Sequence, residues 1–312
     1  MVAVRPLREE DLDEAERIRR LAFGTQLGLP DPLAFGGDND YAHTRWRADA
    51  SAALAAEVEG ALAGSNFATR WGSFAFFGPL SVRPELWNQG VAHHLLDATM
   101  EIFARWAPAH AGLYAVVNSP KHAALYQKYG FWPRFMTFIL ARPVRAGLPS
   151  GDYALFSSLS PADQEACLAD CGELCDAVFD GLDVSREIRA VHVQGLGDTL
   201  LLWDMARLAG FAVCHCGAGS EAGSGACYVK FAAVLPGPGA PAAFDRLLAA
   251  CEAYAAQRGL GRLVCGVNLA RHEAYRGLLA AGFRIESQGV AMQRPNEAGF
   301  NRPGVYVIDD WR

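Results

Sequence analysis

The sequence predicts a mixed α/β fold arranged as two similar domains, each with a central mixed sheet flanked by helices. Three observations support this prediction. The chain has 312 residues, which is enough for two domains of about 150 residues each. Its second half repeats short stretches of the first half in the same order. Strand and helix patterns alternate in both halves, and this alternation is typical of a sheet covered by helices.

Five short matches relate the two halves, and their common order and similar spacing indicate an internal repeat. The matched stretches are LAG at 62–64 and 208–210, VRP at 82–84 and VLP at 234–236, Leu-Leu at 95–96 and 247–248, VVNSPKH at 116–122 and GVNLARH at 266–272, and YGF at 129–131 and AGF at 281–283. The second copy has extra residues in its Gly/Ser-rich loop GAGSEAGSG and before its Gly-Phe pair. Surface loops and helix ends tolerate such insertions.

The first half predicts the element order β-α-(α)-β-β-β-α-β-α-β. A short strand at the N-terminus precedes an amphipathic helix with Leu12, Ala15, Ile18, Leu21 and Ala22 on one face. Strands then follow, joined by turns at Glu59-Gly60 and near Gly72-Ser73. The remaining predicted elements are a helix at 90–106, a strand at 112–118, a helix at 121–131 that ends at Gly130, and a strand at 135–142.

The Pro- and Gly-rich stretch ARPVRAGLPSGD at 141–152 is the expected linker between the domains. We therefore predict one domain over residues 1–145 and a second over 150–312. The second half repeats the plan of the first and ends on GVYVIDDWR.

The composition limits the partners of this protein. The net charge of −6 argues against nucleic acid, because phosphate backbones are bound by a surplus of Lys and Arg. No stretch approaches the ~20 apolar residues of a membrane span, and the first twenty residues contain no apolar signal-peptide core. We therefore expect a cytoplasmic protein with no membrane partner. The oligomeric state is not predicted.

The eight cysteines are expected to stay reduced, as in cytosolic proteins. Cys167, Cys171 and Cys175 recur every four residues along one helix face, and Cys214 and Cys216 flank His215. Neither group has the C-x2-C pairs of structural zinc sites. We interpret them as buried thiols and expect no metal.

The stretch VRPELWNQGVAHHLL at 82–96 reads as a strand end, a loop and a helix start. A helix N-terminus presents unpaired backbone N–H groups and the positive end of the helix dipole, so this stretch predicts an anion site. Gly90 lets the backbone approach an anion closely, and Ala92 keeps the first helical turn free of bulk. The pattern lacks the Lys-Ser or Lys-Thr of a P-loop and the three spaced glycines of a dinucleotide fingerprint.

Two stretches together, LSVRPELWNQGVAHHLL at 80–96 and NSPKHAALYQKYGF at 118–131, resemble the acyl-CoA-binding motifs of the GNAT superfamily of N-acetyltransferases. The likeness covers most of residues 3–142 and, more faintly, 153–312. It implies two GNAT-like domains with mostly antiparallel sheets, an acetyl-CoA co-substrate or another acyl-CoA, and a loop motif Q/R-x-x-G-x-G/A. Trp87 stands where Gln or Arg is usual. The implied coenzyme-binding residues are Leu80, Ser81, Val82, Trp87, Asn88, Gln89, Gly90, Val91, Ala92, His93, Asn118, Ser119 and Tyr126.

The resemblance implies catalytic roles as well. Tyr126 precedes Gly130-Phe131 by four residues and matches the family's tyrosine that protonates the departing CoA thiolate. A phenol is protonated at neutral pH and so can act as this acid. Ser119, or Asn118 if the register slips by one, matches an Asn that bonds the pantetheine arm.

The general base stays open. The family uses Glu or Asp on the central strands, but SFAFFGPLS contains no carboxylate. Glu57 and His122 are alternative candidates, and a water chain with Ser73 or Ser81 is a third.

The second half predicts a degraded copy of the loop. Alignment through the shared proline puts Pro241, Ala242 and Phe244 at the places of Gln89, Gly90 and Ala92, and Leu278 at that of Tyr126. Proline lacks an N–H group and phenylalanine crowds the helix start, so we expect no usual acyl-CoA binding there.

The sequence thus predicts an N-acetyltransferase acting by direct attack of a small-molecule or peptide amine. The alternative is a non-catalytic tandem protein that senses acyl-CoA or another ligand. Asp31, Asp38 and Asp40 in the loop at 22–41 would suit a cationic amine, and the aromatic stretch RWGSFAFFGP would line an apolar pocket or fill the core.

Overall fold

A computed structural model of the chain describes residues 1–116, 119–145, 147 and 151–312. The N-terminal half has the predicted order of elements plus a two-residue strand. Its elements are β1 (Val2–Pro6), α1 (Leu12–Gln26), α2 (Ala42–Ala48), β2 (Ala53–Val58), β3 (Ala61–Trp71), β4 (Phe74–Phe77), β5 (Ser81–Val82), α3 (Val91–Trp106), β6 (His110–Val116), α4 (Pro120–Gln127) and β7 (Trp132–Pro143). The predicted turn is confirmed: Glu59 and Gly60 have φ angles of 54° and 79°, as a tight hairpin requires.

The C-terminal half repeats this plan, as predicted. Its elements are β8 (Ala154–Leu155), α5 (Pro161–Val178), α6 (Ser185–Gln194), β9 (Gly197–Asp204), β10 (Arg207–Gly217), β11 (Gly223–Val234), α7 (Ala240–Gln257), β12 (Arg262–Asn268), α8 (His272–Ala280), β13 (Arg284–Arg294) and β14 (Val307–Ile308). Helices α5 and α6 correspond to α1 and α2, and α7 and α8 correspond to α3 and α4.

One continuous sheet connects the two halves. Its strand order is β1-β2-β3-β4-β6-β13-β7-β12-β11-β10-β9-β8. At the centre the halves exchange their last long strands, because β13 lies between β6 and β7 and β7 lies between β13 and β12. The predicted linker began too early, since β7 continues to Pro143, which pairs with Arg262. The division at 145–150 stays a prediction, and strands from both sides of it form the shared sheet.

Helices cover both faces of the sheet. Along β2, Ala53 and Ala55 pack against α1, whereas Leu54 and Ala56 pack on the side of α3, as the two-residue period of a strand dictates. Helices α1, α2, α5 and α6 lie on the first side, which we call face A. Helices α3, α4, α7 and α8 lie on the other side, face B.

The sheet has two openings in corresponding places. Parallel strands β4 and β6 pair only from Phe74 and His110 to Phe76 and Gly112. Parallel strands β11 and β12 likewise pair only from residues 226 and 262 to residues 229 and 265. Beyond these points each pair of strands separates and leaves a gap. The first gap leads into a large cavity, whereas the chain itself fills the second.

Candidate active site

The cavity in the N-terminal half passes through the sheet at the gap between β4 and β6. Its volume is about 700 Å³. Phe77 and Leu80 border it on one side of the gap, and Leu113 and Ala115 border it on the other. Within the described residues, backbone groups on the facing edges have no partner strand beyond Phe76 and Gly112, which suits a ligand with amide groups of its own. Residues from face A and from face B both line this cavity.

On face B, the cavity is bordered by the loop before α3. Asn88 and Gly90 have φ angles of 63° and 85°, in the left-handed region that favours glycine and tolerates asparagine. Gly90 caps the N-terminus of α3. The amide groups of Gly90, Val91 and Ala92 donate to no acceptor within the described residues. We call these three amides, at the positive end of the helix dipole, the anion cradle, because they supply the donors that the predicted anion site requires. Anion binding there stays a prediction.

The side chain of Trp87, which departs from the usual loop motif, forms a hydrogen bond next to this loop. Its indole Nε1 donates to the carbonyl of Val82 at 2.8 Å. The ammonium group of Lys121, at the start of α4, lies 5.0 Å from the centroid of the Trp87 ring. Lys121 and Lys128 both line the cavity. The loop therefore has positive charge beside it, although Trp87 replaces the usual Gln or Arg.

Tyr126 lies on α4 and lines the cavity, and its ring centroid is 5.8 Å from that of Phe77 in the gap. Burial raises the pKa of Tyr126 to about 12, because a phenolate would be poorly solvated there. Its hydroxyl has no hydrogen-bond partner within the described part of the chain. The phenol is therefore protonated at neutral pH and free to donate a proton in the cavity.

His122 lies one turn before Tyr126 and also lines the cavity. Its Nδ1 is 3.4 Å from Nε2 of Gln26, at the end of α1. Burial, and secondarily the charge of Lys121, lower the pKa of His122 from its ordinary value of 6.5. The imidazole is therefore neutral at pH 7, the form that accepts a proton.

Eleven of the residues expected at the site line the cavity. They are Leu80, Ser81, Val82, Trp87, Asn88, Gly90, Val91, Ala92, His93, His122 and Tyr126.

The structure places three others elsewhere. Gln89 donates to the Glu85 carbonyl at the exposed side of the loop. Glu57 accepts a 2.7 Å hydrogen bond from Arg5 on β1, away from the gap. Ser119 is buried at the N-terminus of α4. Asn118 lies outside the described residues.

Several lining residues were not expected from the sequence. On face A the cavity widens into a chamber, which we call the face-A chamber. It is lined by Arg19, Tyr41, Tyr114, Trp311 and Arg312. Tyr114 belongs to the predicted strand after α3, and the alternation of that strand directs it to face A. Local sequence patterns could not have predicted that residues 311 and 312 lie at this site, because contacts with distant parts of the chain position them.

Glycines make room for this C-terminal segment on the sheet. A Cβ atom on Gly112 would lie 2.9 Å from the rings of Trp311 and Phe74. A Cβ on Gly266 would overlap the carboxylate of Asp310. The segment at 309–312 therefore lies flat on face A, and Trp311 reaches the face-A chamber.

The acidic residues expected at the acceptor site do not line the cavity. Asp31 accepts from the amide of Leu33, and Asp40 from the amide of His43. Asp38 accepts from the amide and hydroxyl of Ser224. Each carboxylate is thus engaged by donors of the loop or of the other half.

The corresponding gap in the C-terminal half is filled. Strand β14 pairs with β11 at residues 232–233, beyond the point where β11 and β12 separate. Helix α7 begins at Ala240, so Ala242 lies inside its first turn rather than at its cap. Phe244 is fully buried and packs 5.3 Å from the ring of Tyr306. Leu278 is fully buried in α8. Strand β14 therefore lies where the N-terminal half has its gap.

Two further properties of the described residues bear on possible ligands. No group of three or more His, Cys, Asp or Glu side chains in the described part of the chain is arranged to hold a metal ion. Within the same residues, no helix combines the length and the apolar character needed to cross a lipid bilayer.

Comparisons with known proteins agree with this geometry. Residues 16–131 match the model of the acetyltransferase (GNAT) family. A putative acetyltransferase from Pyrococcus horikoshii has a similar structure, with a TM-score of 0.71 and 14% identity over 99% of this chain and 95% of that chain. A GCN5-related N-acetyltransferase from Sphaerobacter thermophilus gives a TM-score of 0.61 and 16% identity over 97% of this chain and 96% of that chain. A search of curated proteins found no match.

At such identities, the similarity to these structures shows a shared fold and nothing about the substrate. Both structures extend over nearly the whole chain, so the shared fold includes the C-terminal half. The family model covers the loop before α3 and Tyr126. Residues 16–131 are therefore similar to the GNAT acetyltransferase family, and the chain as a whole shares the fold of these two structures.

Proposed function

We propose that the N-terminal half transfers the acetyl group of acetyl-CoA to the nitrogen of a small-molecule or peptide amine. The observation that carries this proposal is that one cavity passes through the sheet. It joins an anion cradle on face B to the face-A chamber, and Tyr126 lies along its wall. Two substrates entering from opposite faces would meet in the gap between β4 and β6.

The residues present fit coenzyme A. The amides of Gly90, Val91 and Ala92 would hold the diphosphate at the N-terminus of α3. Lys121 and Lys128 would add charge beside it. The open strand edges at the gap would bond the amide groups of the pantetheine arm, which directs the thioester toward face A.

The proposed reaction needs one proton removed and one supplied. The neutral amine attacks the thioester carbonyl, the C–N bond forms and the C–S bond breaks. Tyr126 would donate its proton to the departing thiolate. His122, neutral at pH 7, would take the proton that the amine releases, directly or through water, and we propose it over Glu57 because Glu57 lies outside the cavity.

The C-terminal half would serve the acceptor rather than a second coenzyme. Its own gap contains β14, and the second residue of its helix α7 is Pro241, which has no N–H group, where α3 has Ala92. Trp311 and Arg312 line the face-A chamber. We propose that this half closes the acceptor site of the other.

Calorimetry with CoA and an assay of free thiol released in the presence of an amine library test this function. The chain offers a matched pair of glycines, because Gly90 caps the N-terminus of α3 and Gly239 caps that of α7. Gly90 has φ +85° and Gly239 has φ −80°. An alanine at a left-handed position costs about 1–2 kcal/mol. We expect Gly90→Ala to weaken CoA binding about tenfold and Gly239→Ala to leave it unchanged.

Heat of CoA binding without thiol release from any amine would favour the sensing alternative. Absence of CoA binding by the wild-type protein, or equal effects of the two glycine variants, would contradict the proposed site.

A further inference from the structure

The charged side chains that line the face-A chamber are both positive. Arg19 of α1 and Arg312 line it, and none of the lining residues described is Asp or Glu. These two guanidinium groups lie on the opposite face of the sheet from the anion cradle at residues 90–92. They are therefore not needed to hold the phosphates of the coenzyme.

Each arginine has a carboxylate partner behind it and leaves part of its guanidinium unpaired. Arg19 donates from Nε and Nη2 to Glu16 at 2.5–3.1 Å. Arg312 donates from Nε to Asp310 at 2.9 Å. Among the described residues, Nη1 of Arg19 and both Nη atoms of Arg312 have no hydrogen-bond partner. Glu16 also accepts from Arg20, so its charge is shared.

The walls of the chamber add neutral donors and apolar surface. Burial raises the pKa of the Tyr41 hydroxyl, and it raises the pKa of Tyr114 to about 12. Both tyrosines therefore remain protonated donors. Phe23 and Phe35, which stack with ring centroids 5.5 Å apart, line the same cavity.

A guanidinium with a free pair of N–H groups matches the geometry of a carboxylate. On the basis of the function proposed above, we propose that the acceptor is an amine that also carries a carboxylate and an apolar group, as an apolar amino acid does. Arg312 and Arg19 bind the carboxylate, and the aromatic walls hold the apolar group. This reverses the expectation of a cationic acceptor held by acidic residues.

The same charges favour the reactive form of the amine. An ammonium group that enters this chamber meets the unpaired N–H groups of Arg19 and Arg312. Their positive charge, reduced by Glu16 and Asp310 behind them, lowers the pKa of the ammonium group because like charges disfavour the protonated form. The carboxylate compensates for the charge of one arginine and keeps binding favourable. A weak base such as neutral His122 is then sufficient to accept the proton.

The experiment compares leucine, phenylalanine and methionine, each with its carboxamide and its decarboxylated amine. Thiol release with acetyl-CoA is measured against pH, so that rates refer to the unprotonated amine. We expect kcat/KM for the carboxylate compounds to exceed that of their partners about tenfold or more, as a charge-assisted hydrogen bond would give. Arg312→Gln abolishes this preference. It also shifts the acid limb of the plot of kcat against pH, which reports the bound amine, to higher pH.

Arg19→Gln is expected to reduce the same preference, and Arg20→Gln is its matched control. Arg20 bonds the same Glu16 but does not line the cavity, so the preference persists in that variant. Equal or faster turnover of the carboxamides overturns this inference and leaves the proposed function intact. CoA binding without turnover of any compound overturns both. Loss of CoA binding in Arg312→Gln assigns Arg312 to the fold and also overturns the inference.

Discussion

The ammonium group of Lys121 lies 5.0 Å above the ring of Trp87, so a cation on α4 approaches the loop that begins α3. A cation over an indole face is attracted by the ring quadrupole. Trp87 occupies the place of a Gln or Arg in the related loops, and this contact places a positive charge beside the loop by another route. The departure from the motif is thus compensated from a different helix.

Lys121→Gln is expected to weaken CoA binding about threefold to tenfold, since an exposed charge contributes modestly to phosphate binding. The measurement is calorimetry at several salt concentrations, and the salt dependence should be shallower in the variant. Lys121→Arg retains the charge and should restore both affinity and salt dependence. Equal affinity of the wild type and Lys121→Gln at low salt would refute this role.

Tyr126→Phe is expected to lower kcat at least about tenfold while the KM for acetyl-CoA changes little, because the ring still packs against Phe77. Since the pKa of Tyr126 is about 12, the wild-type enzyme should show no loss of rate from its ionisation at moderately alkaline pH. Steady-state kinetics across pH test both statements. An unchanged kcat would remove Tyr126 as the acid.

His122→Gln addresses the base. The pKa of this imidazole is lowered by burial and by Lys121, so its basic form is present at pH 7 and is lost only as pH falls below 6.5. The wild-type kcat/KM should therefore decline in that range, and the variant should be slower with that decline removed. Glu57→Gln is the control and should behave as the wild type. The opposite pattern in the two variants would assign the base to Glu57.

The repeat and the order of elements could be predicted from the sequence because local patterns encode them. Side chains of β2 lie alternately on the two faces of the sheet, Gly60 permits the hairpin, and Gly90 marks the start of α3. The same locality explains why the predicted residues 80–82, 87–88 and 90–92 lie together at the cavity, since they follow one another in the chain.

Other features depend on contacts between distant residues. The exchange of β7 and β13 places strands of one half within the other, and no local pattern distinguishes this from two separate sheets. Arg312 and Trp311 reach the face-A chamber because Gly112 and Gly266 leave space for their segment. The filling of the second gap by β14 is equally non-local. Alignment through the proline also placed Ala242 at a cap, whereas α7 begins earlier, at Ala240.

A buried cluster of charges between the halves predicts acid sensitivity. Lys230 Nζ lies 3.2 Å from Glu187 and 2.5 Å from Glu221, and Arg45 of α2 pairs with Glu221 at 3.0 Å. Burial alone would raise the pKa of Glu187, but Lys230 and His215 outweigh it and lower the pKa to about 2.

A carboxylate with a lowered folded-state pKa stabilises the protein above its unfolded value of 4.5 and loses that contribution as pH falls toward 2. The free energy of unfolding should therefore decline in this range, by up to about 1.4 kcal/mol per pH unit for this one group. Urea unfolding at several pH values measures it. Glu187→Gln should flatten the slope, and Glu173→Gln, at an exposed position of α5, should not. Equal slopes in all three proteins would contradict the prediction.

Gly112→Ala tests whether the C-terminal segment shapes the acceptor site. The added Cβ would approach Trp311 and Phe74 to 2.9 Å, and overpacking of this kind costs about 1–3 kcal/mol. Because Trp311 lines the face-A chamber and the cradle lies on face B, displacement of Trp311 should raise the KM for the amine several-fold and leave CoA affinity unchanged. Gly172→Ala, where no atom lies within 4 Å of the new Cβ, is the control and should be neutral or stabilising. If Gly112→Ala weakened CoA binding as much as amine binding, the two faces of the cavity would not be separable sites.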